Sequence, residues 1–122
     1  MIIATRVLLA TLCCFLMGTA WANTFFQYNG HYYLPWVSAG GGYTYDEANN
    51  MAQLMGGYLV SIDTSAENAF VNSILTTAWS YIGAKRCTNN NNLFCTSNTN
   101  DLITYSNWKF NEPNNHEGRE AC

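Results

Sequence analysis

Charged side chains are scarce in this sequence of 122 residues, which has five Lys and Arg against eight Asp and Glu. The net charge is -3, and the basic residues do not form a stripe along the chain. Nucleic acids and anionic membrane surfaces attract proteins through such stripes, so neither is expected as a partner. Aromatic residues reach 15% of the chain, which favours a packed globular domain over disorder.

Long apolar runs are also rare, and the one of note lies close to the amino terminus. It covers residues 7–17 behind Arg6, and it is shorter than the roughly 20 residues that span a bilayer. The Ala-Trp-Ala segment that ends at Ala22 has the small residues of a leader cleavage site. We therefore predict a secretory signal peptide over residues 1–22 and a secreted, extracellular product, with a membrane anchor as the alternative. Residues 23–122 suit one domain.

Only three cysteines belong to that domain: Cys87, Cys95 and Cys122. Cys87 and Cys95 are close in sequence and flank an Asn-rich run, so we predict a disulfide between them. Closing so small a loop stabilises a fold by up to about 3 kcal/mol. An odd cysteine count in an exported domain indicates a free thiol, an intermolecular bridge or a missing piece. We interpret Cys122, unpaired and last in the sequence, as a sign of truncation.

Two amphipathic helices are predicted, each behind a capping box, the first from Thr44 to Glu47 and the second from Thr64 to Glu67. A Gly-Gly pair at position 56 ends the first helix. The apolar faces at helical spacing consist of Ala48, Met51, Ala52 and Met55 in the first helix and of Phe70, Val71, Ile74 and Leu75 in the second.

Short strands are predicted on either side of these helices. Residues 25–34 are rich in aromatics around Asn29-Gly30, which predicts a hairpin. Residues 58–62 and 79–84 predict two further strands. Residues 87–107 are dominated by Asn, Thr and Ser, and we expect a functional loop there without a regular element.

The segment at residues 108–116 is the most distinctive in the chain. It contains Glu112, Pro113 and Asn114, and Glu120 follows shortly afterwards. Carboxylate and amide oxygens are hard donors of the kind that Ca²⁺ takes, unlike the imidazole and thiolate ligands that zinc prefers. The same groups suit a polyol, because an Asn amide donates hydrogen bonds while a Glu carboxylate accepts them.

The order of these features resembles the C-type lectin-like domain over about residues 25–122. The resemblance implies an α+β fold, in which two helices flank a small antiparallel sheet beside a long irregular loop region that binds Ca²⁺ and a sugar. It is carried by the Tyr-rich first strands, the helix with Ala48, Leu59-Val60-Ser61-Ile62, Glu67 and Phe70 of the second helix, Tyr81-Ile82-Gly83-Ala84, Thr104-Tyr105-Ser106-Asn107-Trp108 and Glu112-Pro113-Asn114.

The resemblance also implies a binding site. In the family, the Glu-Pro-Asn form accompanies ligands of the mannose, N-acetylglucosamine and fucose type, so Glu112 and Asn114 are expected to bind both Ca²⁺ and carbohydrate. Glu120 stands where the family has a third such ligand. Pro113 is expected in the cis form, which would aim its neighbours at one ion. The expected function is calcium-dependent binding of mannose-type glycans, with a role in innate recognition, and not catalysis.

Several departures from the family pattern argue for a weaker site. Ala52 stands where the family has a cysteine, and the segment that brings further Asn and Asp ligands is missing together with the final strands. With three side-chain ligands in place of five, we expect weak or absent Ca²⁺ binding by this chain. Asn115 and Ala121 replace the acids of a second calcium site. The alternatives are a calcium-independent lectin-like domain that binds protein, or an inactive product.

Three further interpretations concern the roles of particular side chains. His116 is expected to be solvent-exposed and not a metal ligand. Glu112 and Glu120 are not expected to act as a glycosidase pair, because a surface loop of this kind lacks the necessary cleft. The aromatic residues expected in the core, and not as a platform for stacking a sugar, are Trp79, Tyr81 and Trp108.

Overall fold

The structure is a computed structural model that describes residues 2–5, 24–37, 42–77 and 80–113. The elements are β1 (Ile2–Thr5), β2 (Phe26–Tyr28), β3 (His31–Pro35), α1 (Tyr45–Leu54), β4 (Tyr58–Leu59), α2 (Ser65–Ile74), β5 (Ala84–Cys87) and β6 (Asn90–Thr96). Strands β2, β3, β1 and β4 form an antiparallel sheet in that order, and β5 pairs with β6 in a second, two-stranded sheet. The expected α+β class is confirmed.

The predicted first hairpin is present as β2 and β3. Its two-residue turn consists of Asn29 and Gly30, whose φ angles of 48° and 80° are both positive. Such a turn matches the twist of the flanking strands, and Asn followed by Gly is the pair that tolerates it best. Tyr28 therefore pairs directly with His31.

Helix α1 begins at the predicted capping box. The hydroxyl of Thr44 accepts from the amide of Glu47 at 3.3 Å, and the Glu47 carboxylate accepts from the amide of Thr44 at 2.8 Å. The carboxylate gains two hydrogen bonds from Thr44, which lower its pKa. At the other end Gly56 has a φ of 76°, and the amide of Gly57 donates to the carbonyl of Ala52, as is usual where a glycine ends a helix.

The two helices cover opposite faces of the four-stranded sheet. Successive side chains of a strand point to opposite faces, and Tyr33 and Leu34 are neighbours on β3 that are each 2% exposed. Leu34 packs with Leu59 and with the α1 side chains, whereas Tyr33 packs with Val60 and with the α2 side chains. The predicted apolar faces are confirmed for Ala48, Ala52, Val71 and Ile74, which are buried, whereas Met55 is 36% exposed.

The prediction of an irregular loop over residues 87–107 is wrong for its first half. β6 occupies Asn90–Thr96 and pairs antiparallel with β5, so that Arg86 lies opposite Phe94. Asn has a low preference for strands, and here cross-strand pairing and the nearby disulfide override that preference. The strand predicted at residues 79–84 begins only at Ala84, and the strand predicted at residues 58–62 ends at Leu59.

Strand β1 lies within the segment that sequence reasoning assigned to a leader. Its backbone lies between two strands of the domain: Ile3 is paired with Leu34 of β3 and with Leu59 of β4. The cleavage site after Ala22 falls outside the described residues, so removal of the leader stays a prediction. Among the residues that the structure describes, no helix has both the length and the apolar character to cross a membrane.

Candidate functional site

The β5–β6 hairpin is the support on which the Glu112 segment is built. The predicted disulfide between Cys87 and Cys95 is present and links the two strands. The chain that leaves β6 then folds back along it, because the amide of Thr96 donates to the carbonyl of Asp101 at 2.8 Å. One step further, the amide of Ile103 donates to the carbonyl of Phe94 at 3.0 Å.

Aromatic contacts continue this support as far as Trp108. The guanidinium carbon of Arg86 lies 5.0 Å from the centre of the Phe94 ring. The same ring lies 5.0 Å from the Trp108 ring, at an interplanar angle of 52°. Trp108 is nevertheless 40% exposed, and Tyr81 is 37% exposed, so both are less buried than the core positions predicted for them. Trp79 is outside the described residues.

Glu112 lies on the surface at the end of this supported segment. Its amide donates to the carbonyl of Lys109 at 2.8 Å, which closes a turn in which Asn111 has a φ of 68°. The peptide bond between Glu112 and Pro113 is cis. The side chain of Glu112 is exposed, and the neighbouring Phe110 is 90% exposed. The turn therefore presents a carboxylate and an aromatic ring to solvent.

The other proposed ligands cannot be placed beside Glu112, because Asn114 and Glu120 lie outside the described residues, as do His116 and Cys122. Within the described part of the chain, no group of three or more His, Cys, Asp or Glu residues could hold a metal ion. The exposed carboxylate of Glu112 is a hard oxygen donor and fits a calcium ligand in its chemistry.

A second polar surface was not predicted from the sequence. A cleft of about 760 Å³ lies between the start of α2 and the turn after β6, with Asp63, Glu67 and Asp101 among its walls. The sequence predicts Glu67 as the second half of a capping box and as one of the residues that carry the family resemblance. Thr64 does accept from the amide of Glu67 at 3.1 Å. The Glu67 carboxylate, however, accepts from the amide of Asp63 at 2.9 Å and from the hydroxyl of Tyr33 at 2.7 Å.

Two side chains of this cleft have a raised pKa, Tyr33 and Asp63. Burial raises the pKa of Tyr33, and the hydrogen bond to Glu67 raises it further, so the hydroxyl stays a donor. Burial, followed by the charge of Glu67, raises the pKa of Asp63, while His31 opposes that shift. The arrangement provides acceptor oxygens beside tyrosine rings. No local signal in the sequence indicated it, because Tyr33 and Glu67 are 34 positions apart.

Comparison with known proteins identifies the domain. A family model described as the Lectin C-type domain matches residues 41–122, a stretch that includes both helices, the β5–β6 hairpin and the Glu112 segment. Domains of this family bind carbohydrate and are not enzymes. The searches of curated proteins and of solved structures found no match. Because the family model covers most of the chain, this protein belongs to the C-type lectin domain family.

Proposed function

We propose that this protein is a secreted lectin that binds glycans of the mannose, N-acetylglucosamine and fucose type in a calcium-dependent manner. Glu112, Asn114 and Glu120 supply side-chain oxygens for both the ion and the sugar. The observation that carries the proposal is the surface position of Glu112, at the tip of a segment held on β6, inside a stretch that matches the lectin domain.

The attachment of that segment supports a binding role. Ile103 is hydrogen-bonded to Phe94, and the Trp108 ring packs on the Phe94 ring, so the chain is held before it reaches Glu112. A site carried by a supported loop loses less conformational entropy on binding than one carried by a mobile loop. The exposed ring of Phe110 adds an apolar surface next to the carboxylate.

The donor set suits two vicinal hydroxyl groups of a pyranose. When bound, Ca²⁺ would offer open coordination positions to both hydroxyl oxygens. Glu112 and Glu120 would accept hydrogen bonds from those hydroxyls, and the Asn114 amide would donate one. We expect a dissociation constant for Ca²⁺ of about 10⁻⁴–10⁻³ M, which is typical of extracellular modules.

Retention of the secreted full-length chain on mannose-agarose tests the proposal. The column is loaded in Ca²⁺ at about ten times the expected dissociation constant, and a chelator is then applied. We expect retention with Ca²⁺ and release by the chelator. Glu112→Ala is expected to abolish retention on the column. Glu117→Ala, which removes a carboxylate close in sequence but outside the proposed ligand set, is expected to leave retention unchanged.

Two outcomes would contradict the proposal. Binding that survives the chelator and the Glu112→Ala substitution would favour a calcium-independent lectin-like domain that recognises protein. Absence of retention, together with no heat from titration of Ca²⁺ into the protein, would favour an inactive product.

A further inference from the structure

Phe110 is a large apolar side chain that lies outside the core. Its ring is 90% exposed, more than that of any other large hydrophobic residue that the structure describes. Trp108, in the same segment, is 40% exposed and packs on Phe94, so it supports the chain, whereas Phe110 does not. Residues 106–113 are all exposed. The apolar surface of the Phe110 ring is therefore free to be buried by a ligand, with the gain in free energy that such burial brings.

The ring is carried by the turn that presents Glu112. The amide of Glu112 donates to the carbonyl of Lys109 at 2.8 Å, so Phe110 and Asn111 are the two central residues of a four-residue turn. The φ of 68° at Asn111 suits the third position of such a turn. The Cα atoms at the two ends of a turn lie within about 7 Å of each other. Phe110 and Glu112 are therefore separated by a distance comparable to the repeat of one sugar residue in a glycan.

The position of the ring is largely fixed before a ligand arrives. The amide of Ile103 donates to the carbonyl of Phe94 at 3.0 Å, and the Phe94 and Trp108 rings are in contact, so the chain is held on β6 ahead of the turn. The turn itself is closed by its own hydrogen bond. A phenylalanine side chain has only two torsions to fix, so ordering the ring on binding costs little conformational entropy.

The chemistry of an aromatic ring selects one kind of sugar. The face of the ring is electron-rich and attracts polarised C–H groups. A β-linked N-acetylglucosamine has all its ring substituents equatorial, so its axial hydrogens form an apolar patch on each face. An α-linked mannose carries an axial oxygen on each face and offers no such patch. A β-linked, all-equatorial hexopyranose is therefore the residue that suits the Phe110 ring.

We propose that Phe110 forms a second subsite, where its ring stacks on the sugar that follows the residue bound at Glu112, and that the protein selects glycans ending in two β-linked N-acetylglucosamine residues. This inference rests on the proposed function, because the calcium site at Glu112 must hold the terminal sugar. The terminal residue uses its vicinal hydroxyls there, and the next residue is left to contact the ring. Phe110 thus discriminates on the second sugar, which the Glu112 donor set does not contact.

Inhibition of binding to a mannose-coated surface in Ca²⁺ tests the subsite. Methyl β-chitobioside is compared with methyl N-acetyl-β-glucosaminide. A methyl α-mannobioside, linked so that only its outer residue keeps the equatorial hydroxyl pair, is compared with methyl α-mannoside. For the wild type, we expect the chitobioside to inhibit at a concentration about three- to tenfold lower than its monosaccharide does. The mannobioside should show no comparable gain over its monosaccharide.

Three variants show whether the gain belongs to the Phe110 ring. Phe110→Ala should reduce the ratio of the two inhibitory concentrations to about one, whereas Phe110→Tyr, which keeps an aromatic ring, should preserve it. Phe25→Ala is the matched control: it removes a ring that is 55% exposed and precedes β2, and it should keep the wild-type ratio. Damage that weakens both sugars equally leaves the ratio unchanged, so it does not imitate loss of the subsite.

Failure of the subsite and failure of the proposed function give different results. Equal inhibition by the chitobioside and its monosaccharide, an equal gain for the mannobioside, or a ratio that survives Phe110→Ala would overturn the subsite, although mannose binding remains. Loss of all binding in Phe110→Ala would place the ring in the primary site and would also overturn the subsite. Absence of calcium-dependent binding of the wild type to the surface would refute the proposed function, and the subsite with it.

Discussion

The hydroxyl of Tyr33 on β3 donates a hydrogen bond of 2.7 Å to the Oε1 atom of Glu67 in the first turn of α2. The Oε2 atom of the same carboxylate accepts from the amide of Asp63, so one side chain joins the sheet, the helix and the loop before it. Tyr33 is 2% exposed, and a buried hydroxyl needs such a partner. This bond fixes α2 against the face of the sheet opposite α1.

Tyr33→Phe should lower the free energy of unfolding by about 1–2 kcal/mol, because the ring remains and only a hydrogen bond to a charged acceptor is lost. Urea denaturation measures the change. Tyr32→Phe, at the adjacent position of β3, is the matched control and is expected to stay within about 0.5 kcal/mol of the wild type. Equal stability of the two variants would show that the Tyr33 bond contributes nothing.

Asp63→Asn should make stability less dependent on pH in the acidic range. The folded state raises the pKa of Asp63, chiefly by burial and then by the charge of Glu67, so the folded chain retains a proton that the unfolded chain releases. Stability of the wild type therefore falls as pH rises through the unfolded pKa of about 4 and then through the higher folded pKa. The Asn variant avoids this loss.

Thermal unfolding at pH 3 and pH 7 measures the effect of Asp63. From pH 3 to pH 7, the stability of the Asp63→Asn variant should increase relative to that of the wild type. The increase should be small, because solvent reaches the Asp63 side chain. Asp46→Asn, in the exposed first turn of α1, is the matched removal of a carboxylate, and it should not gain stability in this way. A variant of Asp63 that is less stable than the wild type at pH 7 would contradict the assignment.

Gly83→Ala should lower the free energy of unfolding by about 1–3 kcal/mol, because it disturbs the junction between the two sheets. The amide of Gly83 donates to the carbonyl of Val60 at 2.6 Å, and its carbonyl accepts from the amide of Ser97 at 2.9 Å. An added Cβ would overlap the carbonyl oxygen of Leu59, and backbone atoms cannot rotate away as a side chain does.

Gly42→Ala is the control for that substitution, because among the described residues no atom outside its own chain neighbours lies within 4 Å of the added Cβ. Guanidinium chloride denaturation compares the two variants. A Gly83→Ala chain as stable as Gly42→Ala would show that β4 and the start of β5 can separate without cost. A decrease in the free energy of unfolding that occurs in Gly83→Ala and not in Gly42→Ala would show that close backbone contact joins the two sheets.

The features that sequence predicted well are those set by local chemistry. The Asn29-Gly30 turn and the Thr44 capping box involve residues up to three positions apart, and both are present. β6 was missed because an Asn-rich strand depends on its partner β5 and not on its own composition. The role of Glu67 was predicted only in part. The hydrogen bond from its backbone amide to the Thr64 hydroxyl is local, whereas the bond between its carboxylate and the Tyr33 hydroxyl requires the fold.

For the candidate site, too, one part could be predicted from the sequence and the other part required the fold. The residue types at Glu112, Pro113 and Asn114 are informative on their own, because a hard-oxygen donor set can be recognised in a few letters of sequence. What holds the segment before Glu112 is not local. The ring contact between Phe94 and Trp108 joins a strand to a loop, and no periodicity in the sequence indicates that contact. Sequence therefore supplies the hypothesis of a donor set, and the fold shows what supports the segment that leads to Glu112.

Exchange of the donor and acceptor groups at the proposed site should change the preferred sugar. In the double variant Glu112→Gln with Asn114→Asp, an amide stands where a carboxylate was and a carboxylate where an amide was. The hydroxyl pair that fits must then have the opposite order of donor and acceptor, so we expect preference to shift from mannose towards galactose. One good hydrogen-bonded pair corresponds to about 1–3 kcal/mol of discrimination, or roughly 5- to 150-fold in relative affinity.

A glycan array measures the shift, with Ca²⁺ present throughout and Glu117→Gln as the matched control. The control makes the same carboxylate-to-amide change at a position close in sequence but outside the proposed ligand set, so its profile should remain that of the wild type. A double variant at Glu112 and Asn114 that stays selective for mannose would refute the direct contact of these residues with sugar. Loss of all glycan binding, with unfolding unchanged, would instead leave them as calcium ligands that do not determine which sugar is bound.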